Sequence, residues 1–202
     1  MRTYEKAMFA DPTEDDEVAI VAQLLPGFCA GAASVIGVRS LAVEGENLRR
    51  ERPQGDHAAI DKAIIEPQVA LAVDDEPPRD LTIEFERPVT KGSNSYLVGF
   101  VDIVVAFKIP SVWWSDSLRT GSRRISIYIE VKPRTYSIGS VLRQIKTYRM
   151  TVGDSSALFC LASRGLTNDH ATILLAERII PWQPIPQPPS LPSGFFRLPD
   201  GR

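Results

Sequence analysis

From Ile125 to Lys132 the chain alternates without a break. Ile125, Ile127, Ile129 and Val131 share one side, and Ser126, Tyr128, Glu130 and Lys132 share the other. A period of two is the mark of a β-strand with one apolar face, and such a strand must be paired in a sheet and covered. Two further strands are expected upstream. Leu81–Glu86 alternates Leu, Ile and Phe with Thr, Glu and Glu, and Tyr96–Phe107 is longer and more apolar, ending before Pro110. Downstream, residues 137–152 have helical spacing and Ala157–Ala162 is a short apolar strand.

Helices are expected before the sheet. Residues 11–25 read as a helix capped by Asp11 or Thr13, with acids in its first turn, stopped by Pro26-Gly27. Residues 30–48 carry mixed signals and receive no assignment, and Arg49–Gly55 reads as a polar loop. Asp56 to about Val73 is helical, with apolar positions at Ala59, Ile60, Ala63, Ile64, Val69 and Leu71 and a kink at Pro67. Residues 167–178 fit a helix or a strand equally. From Pro181 to Arg202, seven of 22 residues are proline, which predicts an extended polyproline-like tail. Three segments follow: an N-terminal helical extension (1–55), a core (56–180) and the tail (181–202). The class is α/β with a mixed sheet.

Composition narrows the function classes. The chain has 202 residues, enough for one full core, and 24% of them are charged. No apolar run is expected to reach the roughly 20 residues that cross a bilayer. The N-terminus lacks a signal-peptide core, so a cytoplasmic location without a membrane partner is expected. Cys29 and Cys160 sit in separate apolar stretches and read as buried thiols. Two cysteines are too few for an iron–sulfur cluster. Residues 1–90 carry 9 basic against 18 acidic side chains, and residues 91–202 carry 14 against 7. The basic half suits a polyanion.

That basic half also holds a candidate site. Glu130-Val131-Lys132 is the only Asp/Glu-x-Lys in the chain, and its two charged residues fall on one side of a strand, with α-carbons about 6.6 Å apart. Asp102 interrupts the apolar run Gly99–Val105, where an unpaired charge is costly. Two carboxylates can hold magnesium or manganese, with the Val131 carbonyl as a further oxygen, while Lys132 orients water and stabilises developing negative charge. On the following helix Ile138, Val141, Leu142, Ile145 and Val152 form a buried arc. Gln144 and Tyr148 share one edge of that arc and are placed to orient the lysine or touch nucleic acid. Arg143 and Lys146 face outward toward phosphates, and Arg123, Arg124 and Arg134 extend the basic set. Trp113-Trp114 could stack on bases or anchor the core.

Taken together, Gly99-x-x-Asp102, Glu130-x-Lys132 and Gln144-x-x-x-Tyr148 resemble the PD-(D/E)xK nuclease superfamily, and within it the RecB-like branch. The resemblance covers residues 56–162 at most. It implies a restriction-endonuclease-like core of order αβββαβ, a mixed central sheet flanked by helices, and metal-dependent hydrolysis of DNA. It also implies a further acid on the helix before the sheet. Glu66 is the best match, although Pro67 follows it; Asp61 is the fallback, and His57 stands where some members place a metal-binding histidine. The iron–sulfur cysteines of part of the branch are absent from this sequence. Two other readings stand beside this one. The same fold without turnover would bind nucleic acid or a partner protein in a larger assembly, with the proline-rich tail as contact for that partner or for a second copy. Cleavage of RNA is the other, since nothing in the sequence reads a sugar hydroxyl.

Overall fold

The computed structural model describes residues 14–52, 55–73, 76–78, 80–91, 96–133, 137–154 and 156–184. The expected caps Asp11 and Thr13, Arg134, and the proline-rich tail beyond Pro184 lie outside the described residues. The elements are α1 (Glu14–Glu51), α2 (His57–Val73), β1 (Thr82–Lys91), β2 (Tyr96–Trp114), β3 (Leu118–Val131), α3 (Ile138–Val152), β4 (Leu158–Ala162), α4 (Asn168–Ala176) and β5 (Ile179–Trp182). The five strands form one mixed sheet in the order β1-β2-β3-β4-β5, flanked by helices. Three residues separate β2 from β3, which permits only an antiparallel turn. β4 runs parallel to β3, with Ile129 opposite Cys160 and Val131 opposite Ala162, and β5 runs parallel to β4. Each parallel step crosses through a helix, α3 and then α4.

The α/β class and the mixed sheet agree with the sequence reading, but several boundaries do not. α1 does not stop at Pro26-Gly27; it runs for 38 residues through both and absorbs residues 30–48 and Arg49–Glu51. An interior proline costs a helix about 3 kcal/mol. Here Leu25, Phe28, Cys29 and Ala32 are all buried around it, and that burial outweighs the local break. α1 also corrects the expectation about apolar runs. Within it lies an 18-residue window of mean hydropathy 1.8, long and apolar enough to cross a membrane, of which 39% is buried inside the protein. Core helices of soluble proteins and signal sequences meet the same criterion, so it does not place the helix in a bilayer.

Strand β2 continues past Phe107 and through Pro110 to Trp114, and β3 begins at Leu118, so most of the stretch between the two expected strands, Tyr96–Phe107 and the alternating run from Ile125, is itself strand. The hydrophobic side chains Ile109 and Val112 are buried on either side of Pro110 and hold the strand together there. The ambiguous segment 167–178 contains helix α4, whose start is fixed by a reciprocal cap. Thr167 accepts from the His170 backbone N–H, and the His170 ring accepts from the Thr167 N–H. Pro181 and Trp182 belong to β5 rather than to a tail; β5 is the last strand in the order, where a residue without an N–H is tolerated.

The chain divides into two compact units. One takes its described residues from 1–24, 84–104 and 127–187, the other from 25–83 and 105–126. The first unit's core joins Val89, Val101, Val104, Tyr128, Phe159, Leu161, Leu174 and Ile179 to the α3 residues Val141, Ile145 and Tyr148. Ile138, Leu142 and Val152 pack at its margin, completing the arc expected of α3. α3 ends at Gly153, whose φ of 65° is left-handed and favours glycine. The second unit's core gathers Leu41, Leu48, Ile60, Ile64 and Val112.

Candidate active site

The C-terminal half of β3 is buried on both sides. The even-numbered side expected to be polar is covered as well: Tyr128 stacks on Phe159 with ring centroids 5.2 Å apart, and Glu130 is only 2% exposed. A carboxylate at that depth requires partners. Two of them are donors to Glu130 Oε1: Lys132 Nζ at 2.9 Å and Gln144 Nε2 at 2.7 Å. Lys132 lies one residue past the end of β3, yet its backbone N–H still donates to the Ala162 carbonyl at 2.9 Å. The ladder between β3 and β4 therefore fixes the root of the lysine.

Asp102 arrives from β2 between Val101 and Ile103, both fully buried. Its Oδ2 accepts the Val131 N–H at 2.6 Å, which ties the β2 carboxylate to the peptide joining Glu130 and Val131. Val131 thus contributes its N–H to the cluster. α3 supplies the third side. Gln144 Nε2 donates to Tyr148 Oη at 2.9 Å as well as to Glu130, and Tyr148 Oη donates to the Phe100 carbonyl at 2.8 Å. Burial pushes the Tyr148 phenol above its ordinary value, the Gln144 hydrogen bond pulls it down, Glu130 and Asp102 push it up, and Lys132 pulls it down. The hydrogen bonds and the ion pair thus gather the five side chains about the peptide joining Glu130 and Val131.

The other expected site residues that the structure describes belong to the second unit or lie on the surface of α3. Glu66 is an exposed residue of α2 with Lys62 Nζ at 3.9 Å, Asp61 pairs with Arg49, and the His57 Nε2 lies 3.0 Å from the Arg52 carbonyl. Among the described residues no three Asp, Glu, His or Cys side chains form a metal-binding group. The two carboxylates at hand match the donor number that magnesium commonly takes from a protein, the remainder being water and phosphate oxygens. Of the basic set, Arg143 is exposed on α3, and Lys146 is 2.8 Å from Glu177. Arg123 engages Ser40 and Glu44, and Arg124 donates to Thr82 at 3.3 Å. The tryptophans separate: Trp113 is 46% exposed, while Trp114 packs on the second unit's core under the Arg52 guanidinium, 4.3 Å from its ring centre.

Two ionic networks carried no signal in the sequence. Glu17, fully buried on α1, forms a two-pronged pair with Arg164 just past β4, and the Glu17 hydrogen bond raises the arginine's pKa further. Glu44 accepts from Ser40 and Ser111 hydroxyls and, at 2.8 Å, from the Val112 N–H. Neither acid is distinguished by local pattern, since each sits among other charged residues on a long helix. The cysteines are buried free thiols, and burial pushes Cys29 up to about 12. No protein-family model matches this chain, and no curated protein is significantly similar to it.

Proposed function

We propose that the protein is a magnesium- or manganese-dependent nuclease that hydrolyses phosphodiester bonds of DNA, with a restriction-endonuclease-like core of the RecB-like kind. The observation that carries this reading is the convergence of Asp102, Glu130 and Lys132 from two neighbouring strands, braced by Gln144 and Tyr148 from the next helix. The element order α2, β1, β2, β3, α3, β4 supports the fold, with α1, α4 and β5 as additions to it.

Asp102 and Glu130 would hold the metal, which would supply charge neutralisation at the phosphate and a more acidic water. The chain's own groups do the rest. Lys132 Nζ is a donor held near Glu130, suited to orient a water and to stabilise charge growing on a phosphate oxygen. Gln144 fixes the Glu130 carboxylate through Oε1, and Tyr148 fixes Gln144. Their position on a core helix keeps the donors rigid. Arg143, exposed on the same helix, is suited to contact the flanking backbone phosphate.

The test is cleavage of single- and double-stranded DNA with magnesium or manganese by the wild type and Lys132→Ala. Removal of one charge-stabilising donor should lower turnover by about 10²–10³-fold. Full activity in the variant would overturn the assignment of the lysine.

A further inference from the structure

The site's brace ends against a glycine. Gly99 lies in β2, three residues before Asp102, and its backbone does not adopt a left-handed conformation. Conformational freedom therefore does not explain a glycine there. Space does. A Cβ built on Gly99 would lie 2.8 Å from Tyr148 Oη, 3.1 Å from its Cε1 and 3.4 Å from its Cζ. The first distance is shorter than real side chains tolerate. The ring cannot easily retreat, because Tyr148 is a 6% exposed member of the first unit's core, packed among Val141, Ile145 and Phe159.

We infer that Gly99 is a positioning residue for the active site: the missing side chain is the seat of Tyr148, whose hydroxyl holds Gln144 against Glu130. The chain of contacts is continuous. Tyr148 Oη reaches across the glycine to donate to the Phe100 carbonyl at 2.8 Å. The same oxygen accepts from Gln144 Nε2 at 2.9 Å, and Gln144 Nε2 donates to Glu130 Oε1 at 2.7 Å. Lys132 Nζ meets that oxygen at 2.9 Å. A methyl group at position 99 pushes on the first of these contacts, and the displacement passes through hydrogen bonds that leave little slack. The catalytic meaning of the displacement rests on the nuclease reading, whereas the steric coupling between Gly99 and Tyr148 does not.

The experiment is a double-variant cycle on the full chain with Gly99→Ala, Tyr148→Phe and the two combined. Melting temperature and manganese-dependent DNA cleavage are measured for all four proteins. In the wild-type background the alanine should lower the melting temperature by about 4 °C, the scale of an overpacked core, and cleavage by about tenfold or more. In the Tyr148→Phe background the oxygen nearest the new methyl is gone, so both losses should shrink by at least half. A combined variant that folds where Gly99→Ala alone does not is the same result in stronger form. Equal alanine penalties in the two backgrounds, or failure of both alanine variants to fold, would overturn the inference. Wild-type protein that cleaves no DNA would sink the nuclease reading, and the melting data would still decide the glycine's role.

Discussion

Glu130 and Glu44 are both shielded carboxylates set against strand ends, but their surroundings differ in kind. Glu44 meets donors only: two hydroxyls, the Val112 N–H and the Arg123 guanidinium 3.9 Å away. The three hydrogen-bond donors belong to backbone or to short side chains, so the carboxylate acts as a rivet between α1 and β2. Glu130 is met by an amide and an ammonium, and Asp102 binds the N–H of the very next residue. Two like charges brought to one place repel, and an ammonium or a metal ion beside them offsets that repulsion. On the nuclease proposal, the acid among donors is structural, whereas Glu130 with its lysine and the neighbouring Asp102 would hold a cation.

The contrast can be broken by substitution. The largest effect is expected from Glu130→Gln, which keeps the Gln144 contact in shape but removes a charge beside Asp102. DNA cleavage should fall by about 10³-fold while thermal stability holds or rises, measured by turnover and melting temperature. A clear loss of stability would mean that Glu130 is a rivet like Glu44. Next, Arg164→Met leaves Glu17 buried without its guanidinium and should cost about 3 kcal/mol in urea unfolding. Glu44→Gln should cost about 2 kcal/mol and leave cleavage per folded molecule unchanged. A loss of turnover there would erase the distinction between the two acids.

The smallest effect concerns pH. Because the folded pKa of Tyr148 is raised above the ordinary tyrosine value of 10.0, the native state holds that proton more tightly than the unfolded chain does. Its contribution is complete below pH 10 and fades as the pH climbs through the raised value. Wild-type stability should therefore fall more steeply above pH 10 than that of Tyr148→Phe. Parallel pH profiles would show that the phenol is not sequestered with the carboxylates.

Much of the site could be read without coordinates. The alternation ending in Glu130-x-Lys132, the acid inside the apolar run at Asp102, and the spacing of Gln144 and Tyr148 are all local patterns, and the helix and strands that bear them are where those patterns place them. The fold's edges were less legible, for a physical reason in each case. Pro26 and Pro110 look like stops because their local cost is real, but buried neighbours carry the helix and the strand through them. Trp113 and Trp114 offered base stacking or a core anchor as one pair, whereas successive residues of a strand face opposite ways, so one ring is half exposed and the other packs on a core. Glu17 and Glu44 gain their roles from partners 147 and 67 residues away, which no window along the chain contains.

The proposed nuclease requires that Asp102 and Glu130 share one cation beside Lys132. Anomalous diffraction from a crystal soaked in manganese tests it most directly. A peak in contact with both carboxylates, lost in Asp102→Asn, is the predicted result. Manganese bound elsewhere, or no peak while the two acids keep their present hydrogen bonds, would contradict it.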